Sequence, residues 1–446
     1  MTLTFAGLLI AAFVAMAFVE RLIRSSPLAA AVVLLAALGG VVYPDLPTVW
    51  PVGPFSVHIM DVAAGAILVA AVARLLRIDR LSYGQLIVMG LGTLLVVSLL
   101  TGLAQHSVND AVQEARSFIH VVAVTLYFAT VEPRREVLDR IARFWLVGAA
   151  LLLATAVFRW LVLPFGLSGG IFGPGGMRVL WAAEAFFLLQ SFFIALVAWR
   201  RTGNVRWGHF SLGLLIALVL LQHRSVWVAL LVGIGIVAVR DQEMTRRLAL
   251  LAVFGVIVGA VFATTVFGEA GDVTEELAEA AQDDDTFQWR LAGWLSLLEG
   301  GGVDTPLQAL IGKPFGSGWE RQLGDRVVVV SPHNYYVETY LRLGVAGLML
   351  LTILYLGTMR HLRHSVDRGS LLSPNALLVL LATHLIYYIP YSPGTLDALI
   401  LGLAISVASG AVSKPLRAHL YARNVPLRLA AERERLAEHG EDGWVP

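Results

Sequence analysis

The stretch that decides the fold is residues 331–356, which read SPHNYYVETYLRLGVAGLMLLTILYL. Its first part closes a long polar segment of an otherwise apolar chain, and its second part predicts an apolar helix from Val337 to Leu356. His333 therefore lies where a polar loop meets a membrane helix. The positive N-terminal end of a helix disfavours an imidazolium, so we expect a lowered pKa and a neutral, basic His333. A purely interfacial role for this histidine and its neighbouring tyrosines is the alternative.

The composition indicates an integral membrane protein. Of the 446 residues, 57% are hydrophobic and only 15% are charged, and the mean hydropathy is +0.73. Soluble domains carry about 25% charged residues. The formal net charge of +1 gives no reason to expect a nucleic-acid partner. The absence of cysteine excludes disulfides, thiolate metal sites and a cysteine nucleophile.

Apolar runs predict an all-α polytopic protein with about 12–14 transmembrane helices, and thirteen is the best count. The runs are Thr4–Val19, Leu28–Val42, Val57–Ala73, Tyr83–Leu103, Phe118–Val131, Phe144–Leu163, Val179–Trp199, Phe210–Leu221, Val226–Val239, Leu248–Phe267, Tyr335–Met359, Leu371–Ile389 and Leu396–Val412. The eighth and ninth runs are short, and we expect a helical hairpin with a tight turn at residues 222–225.

Basic residues fall in alternate loops, which fixes the expected orientation. With thirteen helices, all the arginine-rich loops lie on one side, and the positive-inside rule makes that side cytoplasmic. Residues 1–267 then hold helices 1–10, residues 268–334 form a large extracytoplasmic loop, residues 335–413 hold helices 11–13, and residues 414–446 form a cytoplasmic tail. The few basic residues left on the outer side or within spans are Arg116, Arg159, Arg178, Arg224, Arg290, Lys313, Arg321, Arg326 and Arg342.

The large loop predicts short amphipathic helices. Leu291, Trp294, Leu295 and Leu298 follow helical spacing, so this helix should lie with its apolar face on the membrane or the bundle. A turn-rich strip follows at residues 312–319, and an extended run at residues 327–330.

Two sets of charges in and after the loop have simple structural interpretations. The acidic run Asp283–Asp285 is interpreted as a solvated helix start rather than a divalent-metal site. Glu338 and Arg342, at i and i+4, are expected to pair with each other, although Glu338 could instead orient His333.

These residue types suit one kind of chemistry. Arginine forks bind phosphate oxygens in pairs and keep their charge, and a neutral histidine can accept a proton from a sugar hydroxyl. Arginines and a histidine beside a membrane helix could bind a lipid-linked pyrophosphate sugar and help another hydroxyl displace the pyrophosphate.

The order of these motifs resembles the O-antigen ligase and polysaccharide polymerase superfamily. The features that carry the resemblance are Arg224-Ser225 in a tight hairpin, Arg290 with Trp294 on a loop helix, the glycine-rich strip Gly312–Gly318, and His333-Asn334 followed by Gly344-Val345-Ala346-Gly347. The resemblance covers roughly residues 170–355, and the order and spacing of the motifs within a large outer loop are more specific than any one motif.

The resemblance implies a GT-C-like glycosyltransferase bundle in the bacterial inner membrane, with its active site facing the periplasm. Its donor would be an undecaprenyl-pyrophosphate-linked glycan, its acceptor a lipid A core or another lipid-linked repeat unit, and it would use no metal or other cofactor. It assigns the catalytic base to His333 and pyrophosphate binding to Arg224 and Arg290. Arg178 is a further candidate anion contact, and Asn334, Glu338 and Tyr336 are candidate supporting residues. The implied step is direct displacement with inversion.

Two other classes of function remain alternatives. A transporter or flippase of lipid-linked glycans would place ionisable residues near the membrane midplane in related halves, whereas here they cluster at one face. A peptidoglycan polymerase would also have a large outer loop, but its aspartate-centred signature is not recognisable in this sequence. The sequence does not separate a ligase from a polymerase.

Overall fold

The computed structural model describes residues 16–43, 49–52, 55–162, 178–267, 285–299, 305–323, 326–367 and 369–410. These parts of the chain are mostly helical. The helices are α1 Met16–Arg24, α2 Ser26–Val42, α3 Ile59–Leu75, α4 Tyr83–Gln105, α5 Val108–Ala129, α6 Arg135–Val162, α7 Ala182–Thr202, α8 Val205–Leu220, α9 Arg224–Arg240, α10 Gln242–Phe267, α11 Asp285–Glu299, α12 Pro306–Ile311, α13 Tyr335–Arg363, α14 Pro374–Tyr387 and α15 Thr395–Gly410. Two antiparallel hairpins pair β1 Val49–Val52 with β2 Phe55–His58, and β3 Arg321–Leu323 with β4 Arg326–Val328.

Polar side chains cap the N-termini of helices at the junctions between loops and apolar runs. At the start of α4, Ser82 and Gln85 form a capping box: the Ser82 N–H donates to Gln85 Oε1 at 2.8 Å, and the Gln85 N–H donates to Ser82 Oγ at 3.3 Å. Ser373 caps α14, which has a proline in its first turn. Gly203, with φ of +66°, ends α7 in the left-handed conformation that glycine adopts without steric cost.

The centre of the bundle is α7. Every residue from Ala185 to Ala198 is buried, and the helix packs against α6, α8, α9, α10 and α14. The peripheral helices instead expose large apolar side chains, and examples are Leu35, Val69, Leu100, Leu151, Leu231, Val253, Met349 and Leu356. An apolar exterior of this extent requires a lipid environment, because soluble monomers rarely expose contiguous apolar surface.

Within the described ranges, four helices are long and apolar enough to cross a membrane, namely α4, α6, α7 and α13. The pair α1 and α2, bent by 117°, makes a fifth if it is one span. Among the described residues, α8, α14 and α15 are apolar but shorter. At about 1.5 Å per residue they are shorter than the roughly 30 Å hydrocarbon layer. The protein is thus polytopic, with four to five candidate spans plus shorter apolar helices, and the count of thirteen stays a prediction.

Several predicted boundaries shift because polar residues are helical or extended in the structure. The predicted span Val57–Ala73 starts as part of β2, and its helix begins at Ile59. The span Phe118–Val131 is the second half of α5, which begins ten residues earlier and carries Glu114 and Arg116 in its first half. The predicted hairpin at residues 222–225 is confirmed, with Arg224 as the first residue of α9.

The basic loops meet at one end of the bundle. Arg201 Nη2 donates to Asp367 Oδ1 at 2.7 Å, which joins the end of α7 to the α13–α14 loop. Arg200 pairs with Asp241 at 3.0 Å, and Ser370 Oγ donates to Asp139 Oδ1 at 2.8 Å. Loops that the sequence assigns to a single side are therefore in contact with one another.

The stretch that opened the sequence analysis is not one continuous helix. Within α13, Gly344 has φ of +66° and ψ of −169°, which is non-helical. A Cβ at this position would lie 2.2 Å from the Leu310 carbonyl oxygen, because α12 packs directly against the break. Only glycine allows both this backbone conformation and this approach. The segment of α13 before Gly344 is therefore a separate short helix that carries the end of the loop.

Candidate functional site

His333 occupies a strained turn at the entrance to α13. Its φ is +51°, a left-handed value that few residues other than glycine adopt, although histidine is among the more tolerant. The next residue, Asn334, caps the helix, because its Oδ1 accepts hydrogen bonds from the N–H groups of Tyr336 at 3.0 Å and Val337 at 3.1 Å. His333 as a whole residue is exposed, although burial partly desolvates its ring. A fixed, strained turn that presents an exposed histidine is a feature of functional sites.

The loop helix α11 holds this turn in place. Trp294 Nε1 donates a hydrogen bond of 2.7 Å to the carbonyl oxygen of Pro332, the residue before His333. Trp294 and Leu297 are buried, whereas Leu291, Leu295 and Leu298 are exposed. Part of the predicted apolar face, at Trp294, therefore packs against the protein together with Leu297. The three exposed leucines remain available to a membrane surface.

Two arginines act on the imidazole of His333. Partial desolvation by the loop, followed by the positive charges of Arg290 and Arg321, lowers the pKa of His333 below its usual value of 6.5. The expected direction is thus confirmed, and its causes are burial and two guanidinium groups. Arg321 is buried and its Nη1 donates to the carbonyl oxygens of Trp319 at 3.1 Å and Val330 at 2.7 Å. At neutral pH the ring is therefore a free base.

Arg290 joins the loop helix α11 to the bundle. Its Nη1 donates a long hydrogen bond of 3.4 Å to the carbonyl oxygen of Pro390, and its guanidinium carbon lies 5.1 Å from the centre of the Tyr391 ring. Tyr391 stacks on Tyr387 at 5.0 Å, and Tyr387 stacks on Phe186 of α7 at 3.9 Å. This aromatic ladder connects the loop helix to the central helix of the bundle.

Of the other two predicted arginines, Arg224 lies at the turn between α8 and α9, and Arg178 precedes α7 and acts electrostatically on His223 of that turn. His223 Nε2 donates to the Leu180 carbonyl oxygen at 2.9 Å, so His223 bridges the start of the α7 segment and the hairpin. Burial first, and then the charge of Arg178, lowers the pKa of His223 to about 4. The Nε of Arg178 is buried without a hydrogen-bond partner in the described parts of the chain, and Arg224 is half-buried at the start of α9.

The structure thus groups the predicted residues into two sets, Arg290 with His333, and Arg178 with the His223–Arg224 turn. Sequence reasoning did not single out His223 as a functional candidate. Its position beside Arg224 in a predicted turn was the available signal.

The candidate supporting residues have structural partners. Tyr336 OH donates to the Leu385 carbonyl oxygen at 2.7 Å, and Glu338 Oε2 accepts from Ser392 Oγ at 2.5 Å. The expected Glu338–Arg342 pair is wrong as a direct salt bridge. Arg342 Nη2 instead lies 2.8 Å from Oε2 of Glu114 on α5. Glu338 accepts its hydrogen bond from Ser392, which lies in the loop before α15. The i,i+4 spacing therefore does not decide the partner of Glu338.

The glycine-rich strip is locked onto α5 and α13 by this Glu114–Arg342 pair. The carboxylate of Glu114 accepts the backbone N–H groups of Gly316 and Gly318, each at 2.8 Å. The guanidinium of Arg342 donates to the carbonyl oxygen of Gly318 at 2.6 Å and to the hydroxyl of Ser317, and it lies 3.9 Å over the ring of Trp319. The buried guanidinium of Arg342 therefore holds the glycine-rich strip beside α13, together with the carboxylate of Glu114.

A second polar cluster is sealed inside the bundle. His384 of α14 is fully buried, and its Nε2 lies 3.0 Å from Nε2 of Gln190, which also donates to Asp397 Oδ1 at 2.7 Å. The hydroxyl groups of Tyr355 and Tyr388 each lie 3.4 Å from His384 Nδ1. Tyr388 also accepts, through its carbonyl oxygen, the N–H of Tyr335 at 3.1 Å. Through the hydrogen bond between Tyr335 and Tyr388, this cluster contacts the first residue of α13.

The described residues contain no cluster of three or more histidine, aspartate and glutamate side chains suited to a metal ion. Asp283 and Asp284 lie outside the described residues, as does the glycine-rich segment 169–176 before Arg178.

Together the bundle and this site define a polytopic, mostly helical membrane protein with an arginine-flanked histidine presented at the end of a polar loop. Residues 209–352 match the family model described as O-antigen ligase. The matched segment begins in α8 and ends in α13, so it contains Arg224, Arg290 and His333 and leaves Arg178 outside. The resemblance drawn from the sequence is confirmed over this range. A search of curated proteins found none that matches the chain.

Proposed function

We propose that the protein is a glycosyltransferase that moves an undecaprenyl-pyrophosphate-linked glycan to an acceptor hydroxyl at the outer face of the bacterial inner membrane. The observation that carries the proposal is the strained and exposed turn of His333, which lies within the electrostatic reach of Arg290 and inside the segment that matches O-antigen ligase. The helical bundle is of the GT-C kind in this proposal.

His333 acts as the general base. Its lowered pKa leaves the ring nitrogen free to accept the proton of the acceptor hydroxyl at neutral pH. The acceptor oxygen then attacks the anomeric carbon of the donor sugar, and the bond between that carbon and the pyrophosphate oxygen breaks. The pyrophosphate leaves with the bonding electron pair, and the configuration at the anomeric carbon inverts. Asn334 and Tyr336 position the base by fixing the start of α13.

Arg290, Arg224 and Arg178 bind the pyrophosphate and offset the charge that grows on it. Guanidinium forks match phosphate oxygens with two parallel hydrogen bonds and remain charged. The Nε of Arg178, which has no hydrogen-bond partner among the described residues, is a donor that a phosphate oxygen can satisfy. No step calls for a metal ion, because three guanidinium groups supply the positive charge that a divalent cation supplies elsewhere.

The proposed orientation places residues 268–334 outside the cytoplasm and the tail from residue 414 inside. The support is the contact among the arginine-rich loops at one end of the bundle, which the positive-inside rule assigns to the cytoplasm. Residues 1–267 and 335–413 form the membrane-embedded parts. The active site then faces the periplasm or the outside.

A transporter of lipid-linked glycans is the second candidate, and one observation bears on it. The sealed cluster of Gln190, His384 and Asp397 places ionisable groups inside the bundle, where transporters bind substrates. That cluster is fully enclosed, and its groups bond to one another. The exposed His333 favours the transferase.

A reconstitution with defined substrates tests the proposed function. Purified full-length protein in proteoliposomes receives a lipid-linked repeat unit alone, with EDTA present. Longer glycans on the carrier indicate a polymerase, and transfer only after core lipid is added indicates a ligase. If neither product forms while labelled lipid-linked glycan crosses the bilayer, the protein is a transporter. Turnover that needs magnesium in place of EDTA contradicts the metal-free step.

A further inference from the structure

One side-chain hydrogen bond joins two segments that are far apart in the chain and that each carry an arginine. His223 Nε2 donates to the carbonyl oxygen of Leu180 at 2.9 Å, across 43 residues of sequence. Arg178 lies just before Leu180, and Arg224 directly follows His223. The positive charge of Arg178 acts on the His223 ring, so these groups share one neighbourhood. The bond therefore connects the backbones of two of the three arginines proposed to bind the pyrophosphate.

The side chain of His223 is used for this long-range contact rather than for its own helix. His223 is the N-cap residue of α9, a position where Ser, Thr, Asp or Asn commonly accepts a bond from the first turn. The imidazole makes no such capping bond. Because the Leu180 carbonyl only accepts, the ring carries its proton on Nε2. Burial lowers the pKa of His223 to about 4, so this neutral form persists at neutral and mildly acidic pH.

The segment that accepts the bond is held from a second direction. Val179 and Leu180 are both buried before the start of α7. Arg159 of α6 donates from Nη1 to the Val179 carbonyl oxygen at 2.8 Å and from Nη2 to the Val41 carbonyl oxygen of α2, also at 2.8 Å. Two consecutive carbonyl groups are thus each bound by a side chain from another part of the bundle. The backbone that carries Arg178 therefore has a defined position.

The turn that donates the bond is fixed as well. Gln222 is buried and has φ of +52°, a left-handed value that is uncommon for a residue with a side chain. Trp227, in the first turn of α9, donates from Nε1 to the Leu218 carbonyl oxygen of α8 at 2.8 Å, which closes the hairpin. A strained turn persists only where its surroundings determine it. His223 connects this fixed turn to the segment of Arg178.

We infer that His223 is a positioning residue of the pyrophosphate site, because its bond to Leu180 sets the placement of Arg178 relative to Arg224. The inference rests on the proposed function and adds a residue to that site. Guanidinium groups bind phosphate oxygens with directional, paired hydrogen bonds, so two of them meet the two phosphates of one pyrophosphate only at the right separation. His223 itself touches no substrate in this proposal and acts through the two arginines.

Binding of undecaprenyl pyrophosphate and undecaprenyl monophosphate to the full-length protein in lipid nanodiscs tests the inference without turnover. His223→Asn retains a favoured N-cap residue, but its shorter amide does not reach Leu180. We expect about fivefold weaker binding of the pyrophosphate, as for one lost hydrogen bond. Binding of the monophosphate should stay unchanged, because a single phosphate does not need both arginines at once.

Two further variants complete the comparison. His223→Gln should restore wild-type affinity, because its longer amide can donate to Leu180 in place of the ring Nε2. His209→Asn, at an exposed histidine of α8, is the matched control and should change nothing. In a transfer assay, His223→Asn should raise the KM for the lipid-linked donor about fivefold with kcat nearly unchanged. The fall in rate at acidic pH should not move, since a ring with a pKa of about 4 stays neutral there.

Equal affinity of wild type and His223→Asn for the pyrophosphate overturns the inference. An equal loss of affinity for both lipids also overturns it, because that result indicates a less folded protein rather than a misplaced pair of arginines. Failure of the proposed function has a different signature: His223→Asn selectively loses pyrophosphate affinity, while the wild-type protein transfers no lipid-linked glycan.

Discussion

The indole N–H of Trp294 lies 2.7 Å from the carbonyl oxygen of Pro332, and this hydrogen bond ties the loop helix to the strained turn of His333. The same helix carries Arg290, whose charge acts on the imidazole. One short helix therefore fixes both the position of the proposed base and one of its electrostatic neighbours. The position of α11 relative to α13 should control activity through this contact.

Replacing Trp294 with phenylalanine keeps an aromatic ring in place but removes the donor to Pro332. We expect turnover to fall by about fivefold, the equivalent of one hydrogen bond of roughly 1 kcal/mol, with an unfolding temperature close to wild type. Trp289→Phe on the same helix, where the side chain is exposed, is the matched control. Equal turnover in the two variants would show that the Trp294–Pro332 contact has no part in positioning the base.

His333→Asn tests the general base while preserving the turn, since asparagine tolerates the left-handed backbone found at this position. We expect a rate loss of about 10²–10⁴-fold with donor binding retained. Because burial, Arg290 and Arg321 lower the pKa of His333, the wild-type rate should fall only below about pH 6.5 as the imidazole protonates. Comparing pH–rate profiles of wild type and variant decides the role: an acidic limb that survives in the variant belongs to another group.

Arg290 should affect both rate and pH dependence. In Arg290→Ala we expect the loss of most turnover, and in Arg290→Lys partial recovery, because lysine keeps the charge without the two-pronged geometry. Removing this positive charge also makes the imidazolium easier to form, so the acidic limb in Arg290→Ala should move to higher pH. Arg224→Ala should lose turnover without that shift. An Arg290→Ala enzyme with wild-type rate and profile would make Arg290 a surface residue only.

Gly344→Ala should destabilise the whole site region. The backbone conformation alone costs about 1–3 kcal/mol for a residue with a side chain, and the new Cβ would also meet the Leu310 carbonyl oxygen at 2.2 Å. Gly235→Ala in α9 is the control, because a Cβ there has no neighbour within 4 Å. Thermal unfolding in detergent measures both. A Gly344→Ala protein as stable as Gly235→Ala would mean that the break in α13 is not needed for the fold.

Tag accessibility in intact spheroplasts tests the proposed topology. A tag near Glu275 should be labelled from outside, and a tag after Lys414 should be labelled only after the cells are opened. The arginine-rich loops and their contacts at one end of the bundle are the basis for this expectation. Labelling of the Lys414 tag in intact spheroplasts would reverse the orientation and place His333 in the cytoplasm.

Local patterns were enough to predict many elements of this protein. Apolar runs bounded by charges and glycines predicted helices that the structure contains, and the short runs around residues 222–225 predicted the hairpin that begins α9 at Arg224. The extended run at residues 327–330 is partly in strand β4. His333 was placed correctly at the junction of loop and helix. These features depend on residues close together in the chain, whose spacing fixes the backbone conformation.

Sequence by itself therefore determined a polytopic helical membrane protein with a histidine and several arginines at the end of a loop. Only the tertiary structure decided which groups meet. Arg342 pairs with Glu114, which lies far away in the chain on α5 and also accepts hydrogen bonds from the glycine-rich strip. Local i,i+4 spacing does not contain this geometry. Likewise, the electrostatic influence of Arg321 on His333 and the break at Gly344 depend on the packing of α11 against β3 and of α12 against α13. Such long-range contacts are set by how the apolar faces pack together, and no local pattern encodes them.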